Sequence, residues 1–435
     1  MTEQIRPEET YIINESLEIS VGEAKGWTHK FFTVFPALSI HNYRLYFIGQ
    51  LVSLIGTWLQ TVAQGWLVLQ LTNSPFLVGL VAAMGSLPTL FFALFGGVIV
   101  DRFDTRKILI FTQAASTMLA TMMGVLTLMG HITVVNLTVL AFLMGLVSAV
   151  DIPARQSFAV EMVGKEHLAS AIALNAGVFN GARVIGPAIA GFLISLVGWG
   201  GAFVINGASY IAALVALLYI HVKDHLSSQN HPHPLRAIQQ GINYAFFHKT
   251  IRILLLFTGV TSVFGWSYTI IMPVIAKHVF HLDVAGLGFL YAATGLGALV
   301  AAVFVSAFAK KTNPLVLILG GNALFATSLI AFSFTTSLIT AVPFLFLAGM
   351  GLIAQFSTMN TTIQHLVHDE VRGRVMSIYA LMFLGMTPLG SFQIGWMADH
   401  FGPQFAVRFG AVIVLLVGLL LYFNLSKLQE SLKHS

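Results

Sequence analysis

Long apolar stretches separated by short polar ones run from about residue 45 to residue 425. A helix that crosses a bilayer needs about 20 mostly apolar residues. Windows of that size predict twelve spanning helices, at 45–71, 76–100, 107–129, 134–154, 169–196, 202–222, 251–274, 285–309, 314–335, 339–365, 375–397 and 404–425. Stretches such as 412–423 are continuously apolar and lack the alternation of a membrane β-barrel strand. The pattern therefore predicts an all-α membrane protein. Residues 1–44 carry six glutamates and lack the apolar core of a signal peptide, so they read as a soluble tail. Within it Trp27, Phe31, Phe35 and Leu38 recur at helical spacing, which predicts a short interfacial helix interrupted at Pro36.

The chain divides at residues 223–250, where His231, Pro232, His233 and Pro234 stop a helix. Leu235, Ile238, Ile242 and Phe246 then form one narrow apolar face, as in a helix lying on a membrane surface. The flanking segments, 45–222 and 251–425, resemble each other at an offset near 206: Gly79 and Leu80 answer to Gly286 and Leu287, and Gly145 and Leu146 to Gly351 and Leu352. The predicted architecture is two pseudo-symmetric six-helix bundles followed by a short tail at 426–435. Parallel six-plus-six repeats place a substrate site between the halves, near the midplane.

Composition agrees. Hydrophobic residues make up 57% and charged residues only 9% of 435 positions, against about 25% charged in a soluble domain. That excludes an ordinary soluble enzyme and a disordered chain. The absence of cysteine excludes disulfides and thiolate chemistry. Lys and Arg gather in the tails, in the linker and in loops 2–3, 4–5, 8–9 and 10–11, whereas the alternate loops hold only Lys277. The positive-inside rule then predicts cytoplasmic termini. The net charge of +5 follows from these anchors and does not indicate nucleic acid.

Polar side chains inside spans mark packed interfaces or a wet cavity. Span 1 carries Ser53, Thr57, Gln60 and Gln64 at helical spacing, span 7 carries Thr258 and Ser262, and span 10 carries Gln355, Thr358 and Thr362. Together with Asn175 and Arg183 of span 5 they are the candidate cavity lining, with interhelical hydrogen bonding as the alternative. An arginine at the depth of Arg183 needs an interior partner; it serves either an anionic substrate or a structural tie. Asp151 and Arg155 lie four apart, but Pro153 between them is expected to break the helix. Asp399 and Arg408 are a candidate local pair, and Glu161 is expected to decorate a loop. No metal site is expected. Nucleophile-elbow, zincin and phosphate-loop motifs are missing, so neither an enzyme nor a cofactor is expected.

One segment is more specific. Gly97, Asp101, Arg102, Phe103, Asp104, Thr105, Arg106 and Lys107 resemble the loop 2–3 signature of the major facilitator superfamily, with Asp104 in place of its glycine. Asp101 followed by Arg102, Phe103 and Asp104 is similar to the superfamily's bacterial drug and siderophore exporters, nearest its enterobactin-exporter-like group. Gly56 to Trp66, Asn73 to Gly79 and Asp151 to Gln156 resemble the same branch. Ala182, Gly186, Pro187, Ala190 and Gly191 are similar to the antiporter motif of export members, and their small side chains equally suit close helix packing. The resemblance implies a gate of Gly97, Asp101, Arg102, Arg106, Asp151 and Arg155, with Arg155 a partner for Asp101. It also implies a monomeric inner-membrane exporter of a small organic molecule, driven by protons. The alternatives are an uptake carrier of the same fold and a membrane sensor that moves nothing.

Overall fold

The computed structural model describes residues 33, 35–220, 242–308 and 312–423. Among these residues there is no strand. Helix α1 spans His41–Thr72, α2 Pro75–Arg102 and α3 Thr105–Leu128. A continuous helical stretch, Val134–Tyr219, follows. It is bent at Gly164 (φ 64°) and Gly198 (φ 70°), a backbone that residues with a Cβ rarely adopt. These two bends divide it into α4 (134–163), α5 (165–197) and α6 (199–219). The second half holds α7 (Lys249–His278), α8 (Val284–Phe308), α9 (Pro314–Phe332), α10 (Leu338–Leu366), α11 (369–401) and α12 (Pro403–Phe423). Eleven described stretches are long and apolar enough to cross a membrane; one, Ile185–Tyr219, straddles the Gly198 bend and holds parts of α5 and α6. Large apolar side chains such as Phe111, Ile339 and Phe423 point outward, as a lipid solvent allows.

Local chemistry sets the ends. Asn73, with left-handed backbone, closes α1; Ser74 then accepts from Leu77 N, and Pro75 supplies a first-turn residue needing no partner. Asp104, the departure from the glycine of the loop signature, caps α3 by accepting from Lys107 N at 2.9 Å. Most helices begin a few residues before the predicted starts; α4 runs nine residues past its predicted end, while α6 and α9 stop three short of theirs. Pro153 does not break α4; the helix carries it in its interior. Span 7 departs most from the regular helix expected, with π-helical residues Thr261–Gly265 and a 3-10 turn at Trp266–Thr269. A second π turn, Leu381–Gly385, interrupts α11, and Ser262 Oγ donates to Phe383 O there at 2.6 Å.

Small residues bring helices together in matching places of the two halves. A Cβ on Gly96 of α2 would stand 3.0 Å from the Ala149 carbonyl carbon of α4; one on Gly349 of α10 would stand 2.9 Å from that of Thr294 in α8. Thus α2–α4 and α8–α10 are counterparts. Of the expected interfacial helix, Pro36–Ser39 form a 3-10 turn with Leu38 buried, while Trp27 and Phe31 lie outside the described residues. Of the linker face, Ile242 and Phe246 are exposed on a short helix at 242–247, and Leu235 and Ile238 lie outside the described residues.

Candidate functional site: an ion pair and a polar face

The predicted cavity stripes fall mostly between helices of one half. Gln60 is buried and its Oε1 accepts from Asn206 Nδ2 of α6 at 2.7 Å. Thr57 shares a hydrogen bond with Tyr210 of α6 at 3.1 Å, and Ser53 is buried beside them. In the second half Gln355 Nε2 donates to Thr261 Oγ1 at 3.0 Å. Thr258, Ser262, Thr358 and Thr362 are buried too. In this structure these residues lie against neighbouring helices of their own half. Asn175 accepts from Tyr43 at 3.3 Å and ties α5 to the start of α1.

The open polar face is one step round each helix. On α1 it holds Thr61, which is exposed, and the half-buried Gln64. Gly65, beside them, looks across to Pro273 of α7, 3.6 Å from its own would-be Cβ. On α10 it holds Ser357, Thr361 and Gln364, all exposed, with Asn360 half-buried. Helical spacing at i, i+4 and i+7 could have found this second stripe, but it lies beside the first and is no more polar. We expect Thr61→Phe and Gln364→Leu to weaken binding of a transported substrate at least fivefold with melting temperature held. Gln355→Leu should do the reverse, lowering stability by about 1–3 kcal/mol through the abandoned Thr261 hydroxyl. Substrate-binding titrations and thermal melts on the three variants check this.

The strongest chemistry sits where α1, α3 and α4 meet. Asp151 Oδ1 accepts from Thr112 Oγ1 at 2.7 Å and from Gln113 Nε2 at 2.8 Å. Arg155 Nε binds Asp151 Oδ2, and Arg155 Nη1 binds Gln50 Oε1 of α1. Tyr46 of α1 donates to the Arg155 carbonyl at 3.1 Å. Because α4 runs through Pro153 unbroken, the pair keeps regular i, i+4 geometry. The pair is largely buried, with side-chain exposures of 11% for Asp151 and 17% for Arg155, so it is no rim ion pair. Gln50, Thr112 and Gln113 went unnoticed in the sequence, since nothing local marks residues 38–105 positions away as partners.

Other expectations land elsewhere. At the end of α2 the close helix approach is made by Gly96, while Gly97, a residue of the implied gate, faces open space. Arg106 donates to the carbonyls of Leu217 and Leu218, both at 3.0 Å, and caps α6. Arg102 is exposed. Glu161 is no loop ornament, because it accepts from Thr105 at 2.7 Å and joins α4 to the start of α3. Asp399 and Arg408 do not pair. Asp399 accepts from Ser74 and Phe76, while Arg408 donates to Ser333 and lies over the Phe334 ring at 3.7 Å. The side chains of Asp101 and Arg183 lie outside the described ones. In the antiporter-like motif, Ala182, Pro187 and Ala190 are buried, and Gly186 lies against Trp58 of α1, 2.6 Å from its would-be Cβ. Gly191 meets Gly288 of α8 across the halves. No cluster of acidic or histidine side chains among the described residues has the makings of a metal site.

Residues 32–434 match a family described as transmembrane secretion effectors of the major facilitator superfamily. The staphyloferrin A transporter of Staphylococcus aureus is 26% identical over 399 residues, covering 90% of this chain and 98% of that protein. The multidrug efflux pump Tap of Mycolicibacterium fortuitum is 23% identical, covering 86% and 93%. An enterobactin exporter EntS of Escherichia coli is 22% identical, covering 89% and 92%. Among solved structures, a bacterial homolog of the human lysosomal transporter Spinster, inward-facing and unoccupied, superposes with a TM-score of 0.75 at 14% identity, over 91% of this chain and 98% of that one.

Proposed function

Because the chain belongs to the transmembrane secretion effector family of the major facilitator superfamily, we propose that it is a proton-coupled exporter of a small organic molecule, siderophore or drug, working by alternating access. The observation that carries this reading is the buried Asp151–Arg155 pair of α4 and its ties to α1 and α3. A proton taken up by the Asp151 carboxylate removes the negative partner of Arg155. The guanidinium, and with it Gln50 of α1, is then free to rearrange. Such a pair has two arrangements of different charge, which is what coupling a proton to a conformational change requires. A released guanidinium also favours a cargo bearing carboxylates or other anionic oxygens.

On this reading the halves rock about the face formed by Thr61, Gln64, Ser357, Asn360, Thr361 and Gln364. The protein works as a monomer in the bacterial inner membrane with both termini cytoplasmic, and Asp101 with Arg102 serves the cytoplasmic side. The multidrug efflux pump and enterobactin exporter relatives support export over uptake. The test is efflux from loaded cells. Collapsing the pH gradient with an ionophore stops it on this account, and Asp151→Asn keeps substrate exchange but loses its dependence on pH. Efflux that ignores the ionophore contradicts proton coupling.

A further inference from the structure

We propose that Asp399 and Asn73 form the latch that holds the outer side of the protein shut. The proposal rests on the alternating-access reading above. Loop 1–2 is gripped at two points by the opposite half. Asn73 Oδ1 accepts from His278 Nε2 at 2.8 Å and from Lys277 Nζ at 3.3 Å, both at the end of α7. Asp399, near the end of α11, accepts with Oδ1 from the Ser74 hydroxyl at 2.9 Å and from Phe76 N at 3.2 Å. All four bonds cross between the halves, and all four lie at this end of the molecule.

The chemistry explains why these groups suit a latch. The first turn of a helix has N–H groups without intrahelical partners, and its partial positive charge favours a carboxylate. Here part of that capping comes from the other half of the protein. Ser74 relays it, accepting from Leu77 N at 3.3 Å while donating to Asp399. One turn before Asp399, Gly395 lies on the same face of α11 and meets α2, its would-be Cβ 2.8 Å from Gly79 Cα. Phe76 packs edge-on against Phe392, with ring centroids 5.7 Å apart. Gly395, Asp399 and Phe401 repeat the spacing of Gly97, Asp101 and Phe103. The same glycine-then-carboxylate spacing thus occurs in the sequence near an end of α2 and near an end of α11. Contacts made in one state and lost in the other bias the equilibrium by their full strength.

The chain has no cysteine, so a single Thr61→Cys gives one reporter thiol on the polar face. It is labelled with a membrane-impermeant maleimide in right-side-out and inverted vesicles. Adding Asp399→Ala should raise labelling from outside by roughly fivefold, the shift that loss of one helix cap supports, and lower it from inside. Asp399→Asn, which keeps an acceptor oxygen, should fall between. Asn73→Ala should act in the same direction, and decides the matter if Asp399→Ala fails to accumulate. Labelling in the alanine variants equal to the parent's from both sides overturns the latch. A parent reporter reached from one side only, with and without a pH gradient, overturns alternating access instead.

Discussion

Arg155→Ala should abolish transport, with a loss of at least about a hundredfold, and should destabilise the protein by about 3–5 kcal/mol, the cost of leaving a buried charge without its partner. The residue left behind is Asp151, whose remaining donors, Thr112 and Gln113, are both neutral. Arg155→Lys should recover folding better than transport. A lysine supplies the charge, but its single ammonium cannot reproduce the geometry in which Nε binds Asp151 and Nη1 binds Gln50. The double variant Arg155→Leu with Asp151→Leu should be more stable than Arg155→Ala and equally inactive, since removing both charges relieves the penalty without restoring the switch. Flux and thermal melts on the four proteins separate the two roles. Transport at the parent rate in Arg155→Ala would remove the pair from the mechanism.

The second large effect is expected at the crossing of α5 and α8. A Cβ on Gly191 would stand 2.7 Å from Gly288 N and 2.8 Å from Val284 O, and backbone cannot swing aside as a side chain does. Gly191→Val should therefore insert normally, since each half keeps its own packing, yet prevent the halves from meeting on this side. Transport should fall at least about fiftyfold, the few kcal/mol of a small-to-large change in a close-packed contact. Labelling of the Thr61→Cys reporter should then be confined to the outside. Gly97→Val is the control: with open space around Gly97, it should disturb this state far less.

How much of this was legible in the sequence follows from distance along the chain. Helix number and the two-half repeat were readable because they depend on local pattern, above all apolar run length; the caps by Ser74, Asp104 and Asn313 emerge only with the structure. The partners of Asp151 and Arg155 were not readable, because they lie on other helices. Nor were the cross-half bonds of Asn73 and Asp399, whose partners are 205 and 325 positions away. The polar stripes were legible, but not that Gln60 and Gln355 bond to helices of their own half while Thr61 and Gln364 stay exposed. Periodicity says which residues share a face; it does not say which face meets a helix of the same half. Pro153 misled for a related reason. A proline costs its helix a hydrogen bond, but surrounding helices hold α4 together across that gap.

The most direct test of the central claim is vectorial flux in proteoliposomes holding only this protein, loaded with a panel that includes staphyloferrin A, enterobactin and a cationic dye. An imposed pH gradient should drive at least one of them across the bilayer against its concentration, and reversing the gradient should reverse the movement. A folded protein that moves no member of the panel under either gradient, or moves one only downhill and equally in Asp151→Asn, contradicts the account.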